Sequence, residues 1–177
     1  MKLSCIFCHG RPGKAPERVG LAWTDVTTGE VHVTSSSDVQ LADDVHRISP
    51  AEVLVAAPPP CDSVFKVPAK DADGRPCLAS LGWTNVAWAR DTYTTAVPVA
   101  WQDMRRGRAL TRLFYGTESD VCHKLDPLHQ RALFMLLGYM KHTQRKHLPF
   151  LALPGTEVRH RHLIIDAAAR RSLELIT

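Results

Sequence analysis

The sequence lacks any long apolar run. No stretch of its 177 residues approaches the roughly 18 uninterrupted apolar residues that a membrane-spanning helix needs. The segment 1–19 also lacks the apolar core of a secretory signal, because Cys5, Cys8, His9 and Gly10 interrupt it. These absences lead us to expect neither a membrane protein nor a secreted one.

An excess of one charge is also missing. The chain has 22 Lys and Arg against 18 Asp and Glu, a net charge of +4 that is ordinary for a soluble domain and tolerates an acidic partner without demanding one. Its five cysteines are odd in number and irregularly spaced, which favours reduced thiols inside a cell over a disulfide framework. With 45% apolar and 23% charged residues, the composition is that of one globular domain.

The first half of the chain has the pattern of an α/β domain. Residues 1–18 contain Gly10, Pro12, Gly13 and Pro16, and we interpret them as a flexible N-terminal arm. Beyond the arm, the sequence predicts a hairpin of two strands, a helix and a buried parallel strand. These elements are the strands 19–24 and 30–34, a helix that starts at Ser36 or Ser37 and reaches Ile48, and the strand 53–56. Ser49 to Glu52 has the pattern of a helix capping box.

The second half predicts mainly helices. Residues 61–98 give no clear period and stay unassigned. A helix is predicted over 101–115 and ends at Gly116, and Asp126 and Pro127 begin a longer one that extends to about Lys146. A last strand, 162–166, precedes a helical segment at 167–175.

Two patterns raise the possibility of metal chemistry. Cys5, Cys8 and His9 have the spacing of haem attachment and of half a zinc site, but haem attachment requires export and a closed zinc site requires four ligands, so we expect coincidence and no metal. Asp25 lies on the opening hairpin, where RNase H-like nucleases hold metal ions. Such enzymes need several converging carboxylates, and no other Asp has a context that places it beside Asp25. A turn role for Asp25 is therefore favoured, and a metal-dependent nuclease remains an alternative.

Two basic stretches could bind phosphate by charge. One comprises Arg105, Arg106, Arg108 and Arg112, and the other runs from Lys141 to His147. Solvated helix faces are the favoured interpretation of both, because no aromatic residues interleave the charges to stack on bases. A weak basic DNA-binding module is the second alternative.

Three segments in the same order resemble the MutS family of DNA mismatch repair proteins. Residues 20–30 (GLAWTDVTTGE) and 47–55 (RISPAEVLV) are similar to the opening of its connector domain. Residues 136–149 (LLGYMKHTQRKHLP) resemble the helix that closes that domain. Residues 164–175 (IIDAAARRSLEL) resemble the start of the family's core, or lever, domain.

The resemblance implies an α/β fold, namely an RNase H-like connector domain with a mixed sheet flanked by helices and a short C-terminal strand and helix from the core domain. The expected divisions are the arm at 1–18, the connector at 19–154 and the core start at 155–177. It also implies a non-catalytic fragment that links mismatch recognition to the ATPase core, with no cofactor in this chain, since ATP and Mg belong to the ATPase domain of the family.

The resemblance further implies partners and sites. A MutL-like protein is expected to contact Arg105, Arg108 and Arg112. Independently of the resemblance, the positive charge of Lys141, Arg145 and Lys146 makes these residues the expected contacts of DNA phosphates. Other expected partners are the remaining MutS domains or another MutS-like chain, and mismatched duplex DNA indirectly. The apolar side of 163–175 could promote self-association. The expected location is the bacterial cytoplasm at the nucleoid, or an organelle or nucleus in a eukaryote.

Overall fold

One mixed sheet organises the chain. A computed structural model describes residues 2–9, 18–68, 70, 72–73, 77–80, 89, 92–116, 119–145 and 149–156. Its seven strands lie in the spatial order β5-β6-β4-β1-β2-β3-β7. In chain order they are β1 (Lys2–His9), β2 (Arg18–Asp25), β3 (Val31–Ser36), β4 (Glu52–Ala57), β5 (Phe65–Val67), β6 (Tyr93–Pro98) and β7 (Gly155–Thr156).

Five helices complete the described part of the chain. They are α1 (Asp38–Ile48), α2 (Cys77–Ser80), α3 (Met104–Tyr115), α4 (Ser119–Cys122) and α5 (Pro127–Thr143), and a short 3-10 helix, Val99–Gln102, precedes α3. Among the described residues, no helix is long and apolar enough to cross a membrane.

Strand β1 corrects the interpretation of residues 1–18 as a flexible arm. Residues 2–9 lie inside the sheet, antiparallel to β2 from Lys2↔Asp25 to His9↔Arg18 and parallel to β4 from Leu3↔Glu52 to Ile6↔Val55. The arm interpretation was wrong for this segment because the Gly and Pro residues that suggested it begin only at residue 10, after the strand has ended. Residues 10–17 lie outside the described part of the chain.

The strand directions are those of the RNase H-like arrangement that the resemblance implied. Strands β1, β2 and β3 form an antiparallel meander, and β4 and β6 both run parallel on the other side of β1. The short strands β5 and β7 extend the sheet at its two edges, antiparallel to β6 and parallel to β3 respectively. The expected α/β class with a mixed sheet flanked by helices is therefore confirmed.

The sheet buries both faces. On one face, Leu21 and Val53 pack with Leu41 and Val45 of α1. The other face packs against α3 and α5. Leu136 and Leu137 of α5 are fully buried in the same cluster as Leu54. Because successive residues of a strand point to opposite faces, Val53 and Leu54 contribute to different clusters. This two-sided burial explains the all-apolar run of β4, which was correctly predicted as a parallel strand.

The predicted capping box at Ser49 to Glu52 is wrong. Ser49 is the C-cap of α1, in the left-handed region with φ of 50°, and its N–H donates to the carbonyl of Val45. Glu52 then begins β4 instead of a helix. Ser37, one of the two predicted caps, is the N-cap of α1, and its hydroxyl accepts a hydrogen bond from the Gln40 N–H.

The C-terminal predictions are tested only in part. Gly155 and Thr156 pair with His32 and Val33 as the edge strand β7. The predicted strand and helix at 162–175, and with them the apolar segment proposed for self-association, lie outside the described residues. The division between connector and core at 154 and 155 stays a prediction.

Candidate protein-docking surface

Helix α3 has well-defined ends. Asp103 is its N-cap, and its Oδ1 accepts a hydrogen bond from the Arg106 N–H at 3.0 Å. Gly116 ends the helix with φ of 73°, and its N–H donates to the carbonyl of Arg112. The predicted helix over 101–115 therefore starts later than expected, because Val99–Gln102 forms a separate 3-10 turn before the cap.

A glycine sets the distance between α3 and α5. A Cβ at Gly107 would lie 2.1 Å from Cδ2 of Phe134, whose side chain is fully buried. The buried Thr111 hydroxyl donates to the Gly107 carbonyl at 2.9 Å on the same side of α3. Gly107 thus lets the inner side of α3 pack closely on the core, while Arg105, Arg108 and Arg112 lie on its exposed outer side.

Three arginines share that outer side. Arg105, Arg108 and Arg112 are exposed and, with Met104 and Ala109, line an open groove of about 520 Å³. We call Arg105, Arg108 and Arg112 the arginine face. Their spacing of three and four residues places them on one side of a helix, so the sequence was sufficient to predict that they lie together.

A second groove lies between α3 and α5, next to the arginine face. We call it the Trp101 groove; it has a volume of about 350 Å³ and is lined by Trp101, Arg106, Ala109, Leu110, Leu113, Gly138, Lys141 and His142. The Arg106 guanidinium lies over the Trp101 ring, 4.8 Å from its centroid, and burial lowers the pKa of Arg106. The His142 ring packs at 5.7 Å from Trp101. No local pattern in the sequence predicts this groove, because its lining residues come from separate elements of the chain.

The predicted DNA-contact residues are brought together only in part. Lys141 and Arg145 are both exposed at the C-terminal end of α5, which ends at Thr143, and Lys141 also lines the Trp101 groove. Lys146 lies outside the described residues. Cation placement near a helix C-terminus favourably complements the helix dipole, so a purely structural role also fits Lys141.

A polar network around Glu52 was also missed. Glu52 Oε1 accepts hydrogen bonds from the hydroxyls of Thr95 and Tyr139, the latter at 3.0 Å, and lies 3.8 Å from Lys66 Nζ. These contacts connect β4 to β5, β6 and α5. Because its partners are distant in sequence, no local pattern could have revealed this role for Glu52.

Asp25 occupies a turn in the hairpin between β2 and β3. Its Oδ1 accepts a hydrogen bond from the Thr27 N–H at 2.9 Å, and this bond lowers the pKa of Asp25. Within the described part of the chain, no three His, Cys, Asp or Glu side chains come close enough together to hold a metal ion. Cys5, Cys8 and His9 lie on β1, and their side chains are not among those described.

The described side chains and the sheet order define the class of the protein: an α/β domain with RNase H-like strand order and two adjoining surface grooves bordered by cations. Residues 5–64 match the family model of MutS domain II. The chain is 29% identical over 169 residues to the DNA mismatch repair protein MutS of Rhodopseudomonas palustris strain HaA2, which covers 96% of this chain and 17% of that protein.

Two further relatives agree. The MutS of Cereibacter sphaeroides strain ATCC 17025 is 30% identical over 171 residues, which is 97% of this chain and 16% of the relative. The MutS of Ruegeria sp. strain TM1040 is 28% identical over 165 residues, which is 90% of this chain and 16% of the relative. The chain is similar to MutS proteins of DNA mismatch repair over most of its length, and residues 5–64 are similar to MutS domain II, as the sequence resemblance predicted. It spans about one sixth of the length of these curated relatives.

Proposed function

We propose that this chain is a non-catalytic connector that links mismatch recognition to the ATPase core and binds a MutL-type protein through the arginine face. The single observation that supports this contact is the gathering of Arg105, Arg108 and Arg112 around one open groove. In this proposal ATP and Mg act in other parts of a MutS assembly, and the chain itself works at the nucleoid in the bacterial cytoplasm.

Electrostatics favour an acidic protein surface as the partner. Arg105 and Arg108 are exposed, and neither forms an ion pair with a carboxylate within the described residues. Cations of this kind speed the approach of a negatively charged partner and select its orientation. Arginine is also enriched at protein interfaces, because its planar guanidinium can bind a carboxylate with two hydrogen bonds.

The non-catalytic part of the proposal is supported by the structural roles of two carboxylates. Asp25, the residue considered for a nuclease, accepts the hydrogen bond from Thr27 that shapes its own turn. Glu52 connects the strands and α5 through Thr95 and Tyr139. Each carboxylate therefore stabilises the fold in a way that needs no metal ion.

A double charge reversal tests the MutL contact. We expect Arg105→Glu with Arg108→Glu to weaken binding of a purified bacterial MutL by about tenfold or more, mainly through slower association. The matched control is Lys70→Glu with Lys124→Glu, which makes the same change in net charge at exposed sites outside α3. Biolayer interferometry at several salt concentrations gives both rates, and thermal melting confirms that each variant folds.

The outcome distinguishes a specific contact from general attraction. Equal weakening by both double variants, or no weakening by the α3 pair in a folded protein, would contradict the proposed contact. The predicted phosphate contacts of Lys141, Arg145 and Lys146 stay a separate prediction, because no described feature favours DNA over protein at that end of α5.

A further inference from the structure

The Trp101 groove combines an apolar floor with a basic rim. Its floor consists of Trp101, Leu110 and Leu113, and Leu113 keeps 48% of its surface exposed although it is a large apolar side chain. An exposed leucine at the edge of a concave apolar surface leaves area that a partner could cover. The cationic groups Arg106 and Lys141 and the titratable His142 surround this floor.

Gly138 keeps the groove open. A Cβ at this position would lie 3.0 Å from Cε3 of Trp101, so a larger residue would occupy the space above the indole. The cavity of about 350 Å³ is at the small end of ligand sites and has room for one or two large side chains.

The charges around the groove are of one sign. No Asp or Glu is among its lining residues, and neither Arg106 nor Lys141 forms an ion pair within the part of the chain that the structure describes. Arg106 is held against Trp101 by a cation–π contact, which orders its guanidinium at the rim. An occupant that complements this site must therefore carry carboxylates on both sides of an apolar group.

We propose that the Trp101 groove binds a short acidic peptide segment of a protein partner, with one large apolar side chain inserted between α3 and α5. The apolar anchor contacts Leu113 and Trp101, and flanking carboxylates pair with Arg106 and Lys141. This site is distinct from the arginine face, although Ala109 borders both grooves. It does not depend on the proposed MutL contact.

A synthetic probe tests the proposal directly. The probe is a labelled short peptide with one central Phe flanked on both sides by Glu and Asp, and its comparison peptide has Ser in place of Phe. Fluorescence anisotropy with the full chain measures binding. We expect the Phe probe to bind at least about tenfold more tightly than the Ser peptide, since a buried aromatic anchor contributes much of the affinity of such an interface.

Two exposed positions of the groove serve for the variants. We expect Leu113→Asp and Lys141→Glu each to weaken binding of the probe by about tenfold or more. The matched controls make comparable chemical changes elsewhere: Val39→Asp at an exposed apolar site of α1, and Lys124→Glu at an exposed position before α5. Each control should change the affinity by less than about threefold.

Three outcomes would overturn the assignment. The first is equal binding of the Phe and Ser peptides, and the second is equal weakening by Lys124→Glu and Lys141→Glu, which would indicate general attraction. The third is displacement of the probe by duplex DNA with the same sensitivity to Leu113→Asp and Lys141→Glu, which would assign the groove to nucleic acid.

Discussion

Gly107 lies within a run of arginines, yet its role is in packing. The missing side chain lets α3 approach the buried ring of Phe134, and any Cβ would overlap that ring. Gly138 is the matched case on α5, where the added methyl would only touch the edge of Trp101 at 3.0 Å. The two glycines therefore separate the effect of helix propensity from the effect of close packing.

Gly107→Ala should lower the free energy of unfolding by about 2 kcal/mol, because overpacking against Phe134 outweighs the gain in helix propensity. Gly138→Ala should stay within about 1 kcal/mol of the wild type, since the same gain of propensity offsets a milder contact. Urea unfolding of both variants measures the difference. Equal stability of the two would show that α3 and α5 do not approach as described.

His129 makes stability depend on pH. It is largely buried in the first turn of α5; burial lowers its pKa, partly offset by Asp126, and Arg18 lowers it further. Its folded pKa therefore lies below the ordinary value of 6.5, so the unfolded chain takes up the proton first as the pH falls. The stabilisation is complete above about pH 6.5 and is lost as the pH falls from there through the folded pKa.

His129→Gln removes this titration and should reduce the pH dependence of stability. Between about pH 7.5 and about pH 5.5 we expect the wild type to lose more free energy of unfolding than the variant. Chemical denaturation at several pH values tests this, and identical profiles for wild type and His129→Gln would exclude the role of His129.

At the scale of the elements, capping and turn residues correctly predicted the start of α5 and the hairpin of β2 and β3. Asp126 is the N-cap of α5 and its side chain accepts a hydrogen bond from the His129 N–H. Pro127 is the first residue of the helix, as the sequence indicated. The hairpin of β2 and β3 was likewise recognised from its strand composition and its turn at Gly29, where φ is 76°. Capping and turn residues act on their neighbours in the chain, so their roles can be recognised from a single sequence.

Elements that depend on pairing with distant segments could not be predicted from the local sequence. Strand β1 is defined by its ladders to β2 and β4, and β6 by its pairing with β4 and β5. The same limit applies to the candidate sites. The arginine face follows from spacing on one helix, whereas the Trp101 groove requires Leu113 of α3 and Gly138 of α5 to meet across the helix pair.

Proline substitution tests whether β1 is an inner strand. Both edges of β1 are paired, so the N–H of Ile6 points toward a neighbouring strand whichever edge it lies on, and Ile6→Pro should remove the cooperative unfolding transition. The control is Thr156→Pro in the edge strand β7, which pairs only with β3 and should retain cooperative unfolding. Far-UV circular dichroism during denaturation distinguishes the two, and cooperative folding of Ile6→Pro would contradict the inner position.

At the scale of the whole molecule, the sheet has one meander and one parallel half, and β1 is the strand that joins them. Without its ladders, β2 and β4 would have no common neighbour in the described sheet. The two helical layers pack on opposite faces of this sheet, so the arginine face and the Trp101 groove lie on the side of α3 and α5. The position of both candidate docking sites therefore depends on the sheet being continuous through β1.

Hydrogen exchange of the backbone amides of residues 2–9 in the full chain tests that continuity most directly. The account predicts that these amides are protected as strongly as those of β2 and β4, because an inner strand shares the opening of the whole sheet. Exchange as fast as that of exposed loop residues such as Asp62 and Ser63 would show that β1 does not join the two halves.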